Sequence, residues 1–210
     1  IIPKPKLLQM KQTYRVSLML SALFALLYLP FGLQASTQAD STGLPGDHFS
    51  LEGALELFKE ASSPEAFEKL LNQEDKNVNN LDLNEDGTVD YIRVIDYMEN
   101  DVHAIVLQVS VSEEESQDVA VIEIEKMGAE NAILQIIGDE DIYPENTIVE
   151  PFEETAESGG KGGPNADYAV RGIVVNVWAW PSVRFIYRPS YVAWVSPWHW
   201  RSYPRWWKPW

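Results

Sequence analysis

The chain has 210 residues, with 32 acidic and 16 basic side chains, a net charge of −16, eight tryptophans and no cysteine. The lack of cysteine excludes disulfides, thiolate metal sites and a lipid-modified cysteine at a mature N-terminus. Residues 36–167 hold 32 acidic and 6 basic side chains (net −26), whereas residues 168–210 hold 6 basic side chains and no acid (net +6); an acidic body that would repel nucleic acid thus precedes a basic tail.

Residues 1–9 contain no methionine and read as translated upstream sequence or an expression remnant, with Met10 as the true start. Residues 10–35 then show the parts of a secretory signal: Lys11 and Arg15, an apolar run from Val16 to Leu29, and small residues near Ala35. The run is about fourteen residues, short of the roughly twenty that span a bilayer. A cleaved signal is therefore favoured over a retained anchor, with cleavage after Ala35 or Thr37, and the expected location is the periplasm, outer envelope or extracellular space. The remaining chain of about 175 residues suits one domain with its own core.

An acidic α+β domain is expected over residues 46–150. Ser50 can cap a helix whose Leu51, Ala54, Leu55 and Phe58 share one face. Ser63, Pro64 and Glu65 supply a cap, a first-turn proline and a charge suited to the positive helix end, and Phe67, Leu70 and Leu71 follow on one side.

Next comes Asp82-Leu-Asn84-Glu-Asp86-Gly87-Thr88-Val89-Asp90, where oxygen-bearing side chains recur at alternate positions around a glycine. A hard cation takes six to eight oxygens, and a loop can supply them if alternate residues point inward while the backbone turns at a residue free of Cβ strain. Asp82, Asn84, Asp86 and Asp90 offer side-chain oxygens and Thr88 its carbonyl, so the loop is a candidate calcium site; a metal-free Asp-Gly turn is the alternative. The nine residues resemble the DxNxDG half of EF-hand and dockerin loops, and more closely the DxDxDGxxD loops of integrin-type repeats. Arg93 stands where an EF-hand places a bidentate Glu, and the β-branched and aromatic run Tyr91 to Met98 predicts a strand rather than a second helix, with Arg93 pointing away from the ion. Without that Glu the expected site is structural and weak, on the order of 0.1 to 1 mM. At about ten times the dissociation constant, calcium would stabilise the fold by roughly 1.4 kcal/mol.

Three further strand-like runs follow, His103 to Ser112, Asp118 to Lys126 and Asn131 to Gly138. Ile105, Leu107, Val109 and Val111 alternate, as do Ala120, Ile122 and Ile124, with Glu123 and Glu125 opposite. Glu99-Asn100-Asp101 reads as a hairpin turn. The predicted fold is α+β: two short N-terminal helices packed on an antiparallel meander of about four strands with one wet face. A flexible acidic and glycine-rich linker over 151–168 and an aromatic basic segment over 169–210 complete the chain. Lys161 among glycines lacks the following Ser or Thr and the preceding strand of a phosphate loop.

All eight tryptophans, at 178, 180, 194, 198, 200, 206, 207 and 210, lie in the last 33 residues. Arg171 to Trp180 reads as a strand, with Val175 and Val177 on one face and Asn176, Trp178 and Trp180 on the other. Ser182 to Tyr187 reads as its hairpin partner, and the proline-dense Trp198 to Trp210 as extended chain. The rings have three candidate uses. They could pack on the tail or the acidic body, with Arg201 and Arg205 stacked on tryptophan faces. They could anchor in a membrane interface, or bind an envelope protein or glycan as an exposed aromatic platform. Trp178, Trp180, Trp194, Trp198, Trp200, Trp206, Trp207, Trp210, Arg201 and Arg205 are the candidate partner-binding residues.

Over roughly 46–210 the DxNxDGxxDYI segment and the Trp/Pro/Arg-rich end SPWHWRSYPRWWKPW resemble a group of uncharacterised exported bacterial envelope proteins. The resemblance implies location and no activity, and such proteins often continue further, which leaves truncation at Trp210 an open question. Histidines occur only at 48, 103 and 199, in no metal-ligand spacing, and neither a GxSxG elbow nor a cysteine nucleophile is present. His103, at the start of a strand, is expected at the surface or an edge. The expected protein is noncatalytic, exported and envelope-associated, with one structural calcium site and an aromatic interaction segment; the alternative is a glycan-binding or glycan-processing protein that stacks sugars on the tryptophans.

Overall fold

The computed structural model describes residues 41–151 and 175–210. The expected leader, all but the first residue of the expected linker, and residues 171–174 of the expected tail strand lie outside the described residues.

Two capped helices open the fold. The Ser50 hydroxyl accepts the Gly53 N–H at 2.9 Å to start α1 (Leu51–Glu60), and the Ser63 hydroxyl accepts the Ala66 N–H at 3.1 Å to start α2 (Pro64–Leu71). Phe58 and Phe67 meet edge to face at 5.1 Å and join the two helices.

The sheet has five antiparallel strands in sequence order: β1 (Ile92–Glu99), β2 (Val102–Ser110), β3 (Ser116–Gly128), β4 (Asn131–Gly138) and β5 (Ile148–Val149). Asn100, in the left-handed region at φ 55°, turns β1 into β2. The register pairs Val94 with Leu107, Ile105 with Ile122, and Ile122 with Ile136. These residues belong to one buried cluster with Leu55, Phe58, Phe67 and Leu71 of the helices. The opposite face is less wet than the alternation predicts. Ile95, Ala104, Val106, Val121 and Ile137 form a second buried cluster there, beside polar pairs such as Gln135 to Glu123 at 3.0 Å.

Tyr143 ties the N-terminal segment to the sheet. Its hydroxyl donates to the Phe49 carbonyl at 2.9 Å. A Cβ built on either Gly46 or Gly138 would lie 2.5 Å from its ring carbons, so both positions require glycine for close approach.

The C-terminal segment departs from the expected hairpin. Pro181–Ile186 is a short helix, α3, with Pro181 in its first turn and Val183 and Ile186 buried three residues apart. Proline at the first helical position has its φ already set and no N–H to leave unpaired, which outweighs the strand-like composition of 182–187. Val177 is fully buried, and its N–H reaches the Ala132 carbonyl at 2.9 Å. The chain then turns at Trp178–Trp180 instead of continuing as a strand. Residues 198–210 carry turns and one bridge, His199 to Ser202, with no helix or strand.

An edge strand needs its outward N–H and C=O groups covered, and on β1 side chains and the tail do this. Asn72 receives the Ile92 N–H at 2.8 Å and donates to the Ile92 carbonyl at 2.7 Å, while Glu68 accepts the Val94 N–H at 2.9 Å. The Ser196 N–H then donates to the Val94 carbonyl at 3.0 Å, and the Asp96 N–H to the Trp194 carbonyl at 2.7 Å. Residues 194–196 therefore lie antiparallel along β1, with Ile95 bridged to Val195.

Candidate functional site

The Asp82–Asp90 loop is shaped by its own side chains. The two carboxylate oxygens of Asp82 accept the N–H groups of Asp86 at 3.0 Å and Gly87 at 2.8 Å. Asn84 Oδ1 also accepts the Asp86 N–H, at 2.9 Å, and Asp86 Oδ1 accepts the Thr88 N–H at 3.0 Å. Glu85 and Gly87 turn the chain through the left-handed region at φ 57° and 83°. Asp90 closes the loop: its carboxylate accepts from Leu83 N–H at 2.6 Å and Asn84 Nδ2 at 2.7 Å, and its N–H donates to the Leu81 carbonyl at 2.7 Å. Arg93 reaches Gln108 across the β1–β2 pair at 3.3 Å.

The donor set, carboxylate, amide and carbonyl oxygens alone, is that of a hard cation. Among the described residues no three acidic or histidine side chains are gathered at a common coordinating distance, since each loop carboxylate is turned onto loop N–H groups. Asp82 is half-buried and Asp86 and Thr88 are exposed. Burial, with the charges of Asp82 and Asp86, pushes the Asp90 carboxyl up to about 6 against the hydrogen bonds from Leu83 and Asn84. The Thr88 hydroxyl chiefly holds Asp86 below the usual carboxylate range, and the Arg201 charge adds to the effect.

The tryptophans are dispersed over the body. Trp207 is buried, Trp206 is exposed, and Trp178, Trp180, Trp194, Trp198, Trp200 and Trp210 are half-buried. Three body lysines lie over tail rings: Lys59 over Trp180 at 5.8 Å, Lys69 over Trp206 at 5.7 Å, and Lys126 over Trp178 at 5.3 Å. The expected stacking of tail arginines holds for Arg201, 5.4 Å over Trp200. Arg205 stacks on no ring among the described residues. Trp207 meets Tyr91 edge to face at 5.2 Å and Tyr203 at 4.7 Å.

Two buried carboxylates hold the tail. Glu68 accepts from the Tyr91 hydroxyl at 2.9 Å as well as from Val94 N–H, and the Ser196 and Trp194 side chains face it. The Trp194 indole N–H nevertheless lacks a hydrogen bond of standard geometry. Burial raises the Glu68 carboxyl above the usual range, against these hydrogen bonds. Asp96 accepts from the Tyr191 hydroxyl at 2.7 Å and lies 2.8 Å from His103 Nδ1. His103 is not at the surface as its place in the sequence predicts. It is 1% exposed, on the helix-facing side of β2, with Tyr187 edge-on at 4.8 Å. The His103–Asp96–Tyr191 chain links tail to sheet.

Where the tail meets the loop, a cleft of about 400 Å³ opens, and Asn84, Asp86, Thr88 and Asp90 line it together with Trp200, Arg201, Arg205 and Trp207. Two groups of residues predicted separately thus share one site. Asp82, Trp178, Trp180, Trp194, Trp198, Trp206 and Trp210 stand outside its lining, though the Trp210 carbonyl accepts the Val89 N–H at 3.0 Å and fixes the seam. Sequence reasoning missed Tyr203 and Lys208, which also line it; both sit among the tryptophans and arginines, and attention to tryptophan alone passed over them. Comparison with family models, curated proteins and solved structures finds no match to this chain.

Proposed function

We propose that this chain is a noncatalytic, exported, envelope-associated protein whose Asp82–Asp90 loop takes one structural calcium ion and whose aromatic C-terminal segment is its interaction surface. The observation that carries the calcium reading is the loop itself: Asp82, Asn84, Asp86, Thr88 and Asp90 are held on one turn by hydrogen bonds to its own backbone, and the turn passes through a left-handed glycine. A cation would replace loop N–H groups as the partner of Asp82 and Asp86, draw them toward the Asp90 side, and offset the repulsion among the three carboxylates. The leader-like residues 10–35 support an exported location, where millimolar calcium suits a weak site.

Calorimetric titration of the full chain with calcium, set beside Asp86→Ala, tests this reading. A saturable heat in the first protein and its loss in the second are expected; identical traces would sink it. A second reading, saccharide binding by the C-terminal rings, is favoured by the cleft that those rings form with the loop.

A further inference from the structure

We infer that the cleft between the Asp82–Asp90 loop and the C-terminal segment is a saccharide-binding site. Its volume, about 400 Å³, falls within the roughly 300–1,000 Å³ of small-molecule sites. The chemistry of its walls selects the ligand class. The loop wall presents Asn84, Asp86 and Asp90, rich in acceptors, and the tail contributes Arg201, Arg205 and Lys208, which are donors only. The half-buried rings of Trp200 and Tyr203 line the same cleft.

A sugar ring meets all three demands, because its hydroxyls both donate and accept and its C–H face lies flat on an aromatic ring. A free anion would pair with Arg201, Arg205 and Lys208 but has no hydrogen to donate to the Asp86 and Asp90 carboxylates that line the same cleft. A purely apolar ligand would strip water from these polar side chains and return no hydrogen bond.

The site is also preformed, which lowers the ordering cost of binding. His199 and Ser202 exchange backbone hydrogen bonds at 3.2 and 2.8 Å, and Arg201 between them sits at φ 57°. This holds the turn that presents Trp200 and Arg201. Trp207 packs against both Tyr91 and Tyr203, which also meet each other at 5.8 Å.

The inference deepens the proposed function by giving the aromatic segment a partner, and it does not require the calcium ion. The test applies the full chain to a glycan array and titrates it with maltotriose, cellotriose and triacetylchitotriose, each with calcium and with chelator. Saturable binding of at least one saccharide is expected, weakened about tenfold or more by Trp200→Ala and by Arg205→Ala. Trp206→Ala, which removes an exposed ring outside the cleft, leaves it unchanged. Absence of binding on the array and to all three trisaccharides overturns the inference, as does equal weakening by Trp206→Ala. Pelleting with phosphatidylglycerol vesicles in place of saccharide binding also overturns it, assigning the tail's cations to a membrane surface. Saccharide binding without any calcium heat would remove the calcium reading alone; calcium heat without saccharide binding would remove this inference alone.

Discussion

The Tyr191 hydroxyl donates a 2.7 Å hydrogen bond to the buried carboxylate of Asp96, 95 residues earlier in the chain, and the same hydroxyl accepts the Trp194 N–H at 3.1 Å. One phenol therefore fastens the C-terminal segment to the sheet and orients the stretch that runs along β1. Tyr191→Phe keeps the ring and removes the oxygen. It is expected to cost about 1 to 3 kcal/mol, the range for leaving a buried polar group short of a partner. Urea unfolding at fixed pH checks this. An unchanged midpoint would show that the fastening contributes nothing.

Gly138 sets a second close contact. A methyl there would lie 2.5 Å from Tyr143 Cδ2 and 2.7 Å from Cγ, and the ring has little room to yield because Gly46 bounds it as closely and its hydroxyl is bonded to Phe49. Gly138→Ala is expected to destabilise by about 1 to 3 kcal/mol through overpacking. In a Tyr143→Leu background the same substitution should cost less. Equal costs in the two backgrounds would assign the effect to the strand backbone rather than to the ring.

These contacts show what the sequence made legible. The meander was readable because a half-buried strand repeats every second residue, as in Ile105, Leu107 and Val109, and both helices because Ser50 and Ser63 stand as caps before apolar faces. The hairpin expected at 182–187 was wrong, because Val, Phe, Ile and Tyr suit a strand and also a short buried helix. Pro181 was the signal that could have separated the two. His103 was misplaced for a different reason: its burial depends on Asp96 and on Tyr191, 88 positions away, and no local pattern carries that information. The candidate site was half legible. The loop's oxygens follow a spacing rule, whereas the wall that faces them comes from more than a hundred residues later.

The pH dependence of stability has a direction fixed by Asp90. Its folded-state carboxyl lies at about 6, raised from an ordinary 3.8, so the folded protein holds this proton more tightly than the unfolded chain. The contribution is fully present below about pH 4 and is lost as pH rises through about 6. Glu68, also raised, acts with the same sign. Asp47 acts oppositely. The Ser41 and Thr42 hydroxyls lower its carboxyl to about 2, so its contribution is present above about pH 4 and lost on acidification toward 2. Unfolding free energies measured between about pH 4 and 7 should therefore decline, and Asp90→Asn should flatten the slope whatever it does to the absolute values. A slope unchanged by Asp90→Asn would transfer the effect to Glu68.

Shortening the chain is the natural way to ask what the tryptophan-rich segment does, yet the packing predicts that it removes part of the core. Val177 and Val183 are 0% exposed and Ile186 is 2% exposed, and burying each such side chain contributes about 1.5 to 3 kcal/mol. Ending the chain at residue 174 would discard all three, uncover the Val94 carbonyl and the Asp96 N–H on the β1 edge, and leave Asp96 and Glu68 without their tail partners. Against a typical total stability of about 5 to 15 kcal/mol, such a loss is expected to abolish cooperative unfolding and to promote association through the exposed edge. Size-exclusion chromatography and urea unfolding of the shortened chain check this. A monomer with an undiminished midpoint would show that the tail rests on a body that folds without it. If the loss is found, binding that disappears on truncation says nothing about the rings themselves, and their role must be read from Trp200→Ala, Arg205→Ala and Trp206→Ala in the full chain.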